Sequence, residues 1–219
     1  GLIMKRISNI IFDLDGVIID SQPIYFKVEK ELFKELNLKI SEKEHHSFVG
    51  VSMQDMWKVL KQKYKLKKSV ELLVKNHKNR MLNYFRTKPL KAIANVEKLI
   101  KYFYKNHYKL ALASSSAREL IEIILRSLNL KSYFPIITSG EEFENGKPAP
   151  DIFLKTVNLL NCENDRCVVI EDSSNGVLAA KRANIMCIGY ANPHSGNQDL
   201  AKADIIVNNH QQIIDIFDN

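Results

Sequence analysis

After Pro89 the chain alternates between short, almost unbroken apolar runs and stretches of helical period, and this alternation restricts the fold more than any other feature. Helices over about 92–105, 117–128 and 151–160 precede strands at 108–114, 134–139 and 166–172. A helix over 174–183 then precedes a strand at 185–190, and a last strand at 203–207 is followed by a helix over 210–217. One further run of the same kind, residues 7–14, stands near the start. Strands apolar on both faces and separated by helices require a mostly parallel sheet with helices on each side. The expected class is α/β, with a Rossmann-like sheet.

Between that first strand and Pro89 no strand pattern occurs. Residues 22–38 have helical period, with Phe26, Leu32, Phe33 and Leu36 as the apolar stripe, and further helices are expected over 52–65 and 69–85. Breaks fall at Gly50-Val51-Ser52 and at 66–69. The sequence therefore predicts an α/β body, 1–20 and 88–219, interrupted after its first strand by an all-helical insert, 21–87. The insert is where the charge sits. Residues 51–88 hold eleven basic residues against Asp55 and Glu71, a net of +9, whereas the rest of the chain is at −2. Such a patch can steer anionic ligands or be solvated helix surface. It is mostly lysine with little aromatic interleaving and no recognisable nucleic-acid module, so no nucleic-acid partner is expected.

Three cysteines lie far apart and form no CxxC pair; Cys162, Cys167 and Cys187 read as inert apolar positions in a reducing compartment. The opening apolar stretch meets Asp13 too soon to span a bilayer, so a soluble cytoplasmic protein with no membrane partner is expected, a monomer by default. Trp57, with Phe48 and Met56, reads as helix packing. The adjacent His45 and His46 lack the neighbours of a metal motif, and His107, His194 and His210 read as surface residues.

In open α/β sheets the active site lies beyond the carboxyl ends of the strands. There the first strand delivers Asp13 and Asp15, the second Ser114, Ser115 and Ser116, and the fourth Glu171 and Asp172, while Lys147 follows the third. Carboxylates this close raise one another's pKa unless a cation is present, and an oxygen-seeking ion such as Mg²⁺ fits an all-oxygen set. Lys147 and the Ser114 hydroxyl suit phosphate oxygens, with Ser115 or Ser116 as the cap of the next helix. Gly16 lets Asp15 turn out of the strand. Two acids beside one metal can divide the work, one attacking phosphorus and the other moving protons. Ser173 and Asn175 are placed to cap the helix after Asp172 and steady it.

These residues lie in FDLDGVIIDS (12–21), LASSS (112–116), GKPAPDIF (146–153) and VIEDSSNG (169–176), which in this order and spacing resemble the four signatures of the haloacid dehalogenase superfamily. The wording is similar to its β-phosphoglucomutase-like phosphatases and mutases, and the insert is placed like their small helical cap. The resemblance implies that Asp13 is nucleophile and metal ligand, and that Asp15 is general acid and base, giving its backbone carbonyl to Mg²⁺. It implies phosphate binding by Ser114, Ser115 and Lys147, and metal binding by Asp172 and Glu171. A second acid at Asp15 argues against dehalogenation.

Three departures bear on the reaction. Tyr25 stands where the mutases have a cap-proximal histidine, Met53 where they have a phosphate-gripping arginine, and Ala117-Arg118 where they have Lys-Asn. These losses favour hydrolysis of a small phosphorylated metabolite, of the sugar or polyol phosphate class, over mutase chemistry. Arg118, His77, Lys78 and Arg80 are the candidate substitutes that keep a mutase as the alternative. Gly50, Val51, Ser52 and Tyr25 complete the candidate cap residues. A non-catalytic anion-binding protein is the lesser alternative.

Overall fold

The computed structural model describes residues 2–219, which divide into two compact units, one running from Pro89 to Asn219 together with the segment ending at Ser21, the other Gln22–Lys88. No helix among the described residues is long and apolar enough to cross a membrane.

The larger unit is built on a parallel sheet of β1 (Asn9–Phe12), β2 (Lys109–Ser114), β3 (Ile136–Ser139), β4 (Cys167–Glu171), β5 (Met186–Tyr190) and β6 (Ile205–Val207), in the order β3-β2-β1-β4-β5-β6. Every residue of β1 and β4, the two central strands, is buried. Alternate residues face opposite layers. Ile11, Ala111, Ala113, Val169 and Cys187 pack on Ile152, Phe153 and Val157 of α7 (Asp151–Leu160) and Val177 and Ala180 of α8 (Ser174–Arg182). On the other side Phe12 meets Phe103 of α5 (Val96–Lys105) edge-on, with centroids 6.3 Å apart, and α6 (Arg118–Ser127) and α9 (His210–Asp218) complete that layer. Each such buried phenyl ring contributes roughly 1.5–3 kcal/mol. β1 is flanked by β2 on one side and β4 on the other, so the strand order reverses between β1 and β4 and opens a crevice at their carboxyl ends. The chain leaves and re-enters this unit through paired backbone, where the Ile93 N–H donates to the Ile18 carbonyl at 2.8 Å.

The second unit is helical throughout: α1 (Gln22–Glu35), α2 (Glu42–His46), α3 (Met53–Tyr64) and α4 (Val70–Thr87). Its core is Val28, Leu32, Phe33, Met56, Trp57, Leu60, Leu73, Met81 and Phe85, so Trp57 is a packing residue as read from the sequence, with Phe48 only half-buried. Polar groups also lie inside. The Trp57 indole donates to His77 Nδ1 at 3.1 Å, and His45 Nε2 meets Glu29 Oε1 at 3.3 Å. Residues 22–50 add five bases and five acids, so the unit as a whole keeps the +9.

Helix ends follow local chemistry. Ser41, Ser52, Ser69 and Ser173 each cap the helix that follows, accepting a backbone N–H. In a chain with 8 glycines, asparagine supplies the left-handed residue after α1, α6, α7 and α8, at Asn37, Asn129, Asn161 and Asn184. α1 stops at Glu35, short of the expected 38, because Asn37 turns the chain there.

Two expectations are corrected. The Sγ atoms of Cys162 and Cys167 lie 3.1 Å apart, because the turn after α7 folds back onto the start of β4. His210 is not a surface residue: it is fully buried under the Tyr190 ring, 4.4 Å between centroids, and meets the Val17 carbonyl at 2.8 Å through Nε2. Its Nδ1 is buried without a partner. Burial lowers its pKa from the ordinary 6.5 to about 4. The unfolded chain therefore takes up this proton first as pH falls below 6.5. The contribution to stability is full above that value and is lost between there and about pH 4. His210→Gln should reduce the acid-induced loss of unfolding free energy between pH 7 and pH 5 by about 2 kcal/mol, measured by urea unfolding at the two pH values. An unchanged difference between the two pH values would contradict the placement.

Candidate active site

Asp13 directly follows β1, its N–H still donating to the Ile170 carbonyl at 3.1 Å, and Glu171 and Asp172 end β4 beside it. Adjacent parallel strands ending in register thus bring three acids together. Asp13 and Asp172 are each 7% exposed and Glu171 is fully buried, with one carboxylate oxygen from each within 4.8 Å of the others. Lys147 enters from the loop before α7. Its Nζ lies 2.6 Å from Glu171 Oε1, 3.3 Å from Asp13 Oδ1 and 3.1 Å from the Ala113 carbonyl, over the face of Phe153.

The electrostatics are unbalanced. Burial alone would depress the Lys147 pKa, but Asp13 and Glu171 beside it hold it above the ordinary lysine value. Burial, then the charge of Glu171, pushes Asp13 well above the usual carboxylate range despite Lys147. The same two causes raise Asp172 to about 7, opposed by the Ser195 hydrogen bond. One ammonium cannot compensate this many acids, so the site has the charge deficit of a cation site. Its donors are all oxygen, as a hard divalent ion requires, and Asp15 Oδ1 beside them is buried without a partner. The residues fit Mg²⁺.

Asp15 leaves the strand at Gly16, whose φ of +79° is open to glycine, and where a Cβ would stand 1.9 Å from Asp172 Oδ2. Its Oδ2 accepts from the Ser116 hydroxyl at 2.6 Å and lies 3.4 Å from Ser114 Oγ. Ser114 is fully buried at the end of β2, and its Oγ accepts the Ser116 N–H, whereas Ser115 is exposed. Neither Ser115 nor Ser116 caps α6, contrary to expectation. Ser116 turns inward to Asp15, and the Arg118 N–H at the helix start donates to Glu141 instead, at 3.2 Å. On the β4 side Ser173 caps α8 as expected and also lies 3.4 Å from Glu171 Oε2, but Asn175 is exposed; the side chain that holds Asp172 is Ser195, at 2.5 Å. Gly176 leaves room for Glu171, where a Cβ would overlap the carboxyl carbon at 2.0 Å.

The candidate substitutes for mutase residues are already engaged. Arg118 donates to the Ile137 carbonyl at 2.7 Å and to Glu142 at 2.8 Å. Arg80 holds both oxygens of Glu35, at 2.8 and 2.9 Å. His77 is 1% exposed, packed on Trp57 and edge-on to half-buried Tyr25, and burial lowers its pKa to about 4. Gly50 turns the chain at φ +81°, Val51 is exposed, and Ser52 caps α3. Ser116, expected as a helix cap, instead holds Asp15, and Ser195, which the sequence does not single out, lies in a loop with no pattern at all.

Residues 10–190 match the model of the haloacid dehalogenase-like hydrolases. The chain is 34% identical over 193 residues to a phosphorylated carbohydrates phosphatase of Thermotoga maritima, covering 88% of each. It is 34% identical over 177 residues to a phosphoglycolate phosphatase of Aquifex aeolicus, covering 80% of each. A solved structure of β-phosphoglucomutase from Clostridium difficile superposes with a TM-score of 0.80 at 25% identity, covering 97% of both chains. The strand order, the acids at the ends of β1 and β4, the buried lysine between them and the family match agree: the chain belongs to the haloacid dehalogenase-like hydrolases.

Proposed function

We propose that the chain is a Mg²⁺-dependent phosphatase that hydrolyses a small phosphorylated metabolite, of the sugar or polyol phosphate class, through an aspartyl-phosphate on Asp13. The observation that carries this is the buried Asp13–Lys147–Glu171 contact with Asp172 alongside, an anionic cluster at the carboxyl end of the sheet. The two phosphatase relatives, one of phosphorylated carbohydrates, support the substrate class.

Each residue has a task that follows from its surroundings. Asp13, Asp172 and Glu171, with the Asp15 backbone carbonyl, would hold Mg²⁺, which when bound neutralises the acids and polarises the phosphoryl group. Lys147, whose three protons go to Asp13, Glu171 and the Ala113 carbonyl, fixes one oxygen of Asp13 and places its positive charge where it offsets that of a phosphate oxygen. Ser114 and the N–H groups of the turn containing Ser115 bind the other phosphate oxygens. Asp13 attacks phosphorus, and the bond to the ester oxygen breaks. Asp15, held by Ser116, gives its proton to that oxygen and then takes one from the water that attacks the phospho-aspartate. The helical unit acts as a cap, its +9 charge drawing anionic substrate, an effect that salt screens.

A phosphomutase is the second reading, favoured by the likeness to β-phosphoglucomutase. It requires that a bound phosphorylated product outcompete water for the intermediate, and hence a grip for a second phosphate. Met53 offers no charge, Tyr25 no imidazole, and Arg80 and Arg118 are tied to Glu35 and Glu142.

Asp13→Asn should lower phosphatase turnover by at least ~10³-fold in folded protein, since an amide is a poor nucleophile and a weaker ligand. Turnover within tenfold of the parent would refute the nucleophile. With β-glucose 1-phosphate and a catalytic amount of the bisphosphate, phosphorus NMR should show inorganic phosphate accumulating rather than glucose 6-phosphate. Faster accumulation of glucose 6-phosphate would establish the mutase.

A further inference from the structure

The loop between β5 and β6 belongs to none of the four motifs, yet it is tied to three parts of the site. Ser195, 8% exposed, donates its hydroxyl to Asp172 Oδ2 at 2.5 Å. Asn192 donates from one amide nitrogen to the Gly16 carbonyl at 2.9 Å and to Asp20 Oδ1 at 2.7 Å, and His194 Nδ1 meets Asp20 Oδ2 at 3.1 Å. Gln198 accepts from the backbone N–H of Ser174 at 3.0 Å, in the first turn of α8, and donates back to the Ser195 carbonyl at 3.0 Å. The loop therefore spans from the turn that presents Asp15 to the helix that follows Asp172. Ser195 sits at its middle, where a Cβ on Gly16 would stand 2.8 Å from its Oγ.

We infer that Ser195 is a positioning residue for the metal-binding carboxylate of Asp172, an inference that rests on the Mg²⁺ reading above. A carboxylate on a short side chain has two oxygens and free rotation at its last torsion. A hydroxyl that occupies Oδ2 sets the plane of the group and leaves Oδ1 for the ion. Asn192 and Gln198 hold the Ser195 backbone from either side, so the hydroxyl reaches Asp172 without a search over rotamers of the loop.

The test is calorimetric Mg²⁺ titration of the whole chain, parent against Ser195→Ala, with no substrate present. Loss of an outer partner of a ligand is expected to weaken Mg²⁺ binding about 10- to 100-fold. The Mg²⁺ concentration for half-maximal phosphatase activity should rise in step, with kcat at saturating Mg²⁺ within about fivefold of the parent. The melting temperature without Mg²⁺ should change little, while its rise on adding Mg²⁺ shrinks. A Ser195→Ala protein whose Mg²⁺ affinity stays within twofold of the parent overturns the positioning role, including the case where kcat alone falls. A parent that binds no Mg²⁺ and hydrolyses phosphate esters without it overturns the metal reading, and this inference with it.

Discussion

A lysine ammonium buried among carboxylates is the interaction on which the rest of this structure depends. Lys147 could not enter the interior unpaired, and Asp13 and Glu171 could not sit there without it. The arrangement is tolerable only because the backbone makes room for it. Parallel strands β1 and β4 end side by side, Gly16 and Gly176 leave space where any Cβ would strike a carboxylate, and Phe153 closes one side of the ammonium. On the proposed reading, a divalent cation neutralises the remaining negative charge, and an anionic substrate can approach the acids only with that cation in place.

The sheet was legible because its strands are apolar runs buried on both faces, and a pattern of that kind has few other homes. α7 runs over the expected 151–160, beginning after Pro150 and ending where Asn161 turns left-handed. The acids and Ser114 were legible because each stands at or just beyond the end of an apolar run, and Lys147 because it follows the third strand in the Gly-Lys-Pro turn that leads into α7. What escaped did so for physical reasons. The five residues of α2 include no apolar side chain, and the helix is held by its Ser41 cap and the burial of His45 beside Glu29. His210 has the composition of a surface residue, and only the pocket beneath Tyr190 makes it a core one. Ser116 looked like a cap and instead orients Asp15, because the Arg118 N–H had a carboxylate partner in Glu141. The loop from 191 to 199 has no periodicity, and its contacts with Gly16, Asp20 and Asp172 are all to residues distant in sequence.

The helical unit separates two roles that its composition confuses. Its structural polar groups are inside or paired: Trp57 with His77, His45 with Glu29, Arg80 with Glu35, Lys63 with Glu44. Its net charge is nevertheless strongly positive, because lysines far outnumber the acids available to them. Long-range attraction of anions needs only that excess, whereas gripping a second phosphate needs a specific free cation in a fixed place. Two of the arginines that could have served are committed to carboxylates, and this is the physical ground for ranking hydrolysis above transfer.

The central claim is that the phosphoryl group passes through Asp13, and trapping the acyl phosphate tests it most directly. Enzyme mixed with a turned-over sugar phosphate and Mg²⁺, quenched in acid during turnover and reduced with borohydride, should yield a peptide with homoserine in place of Asp13 by mass spectrometry. Quenched enzyme never given substrate should not. Steady release of phosphate with Asp13 unreduced, or with the label on another acid, would contradict the account.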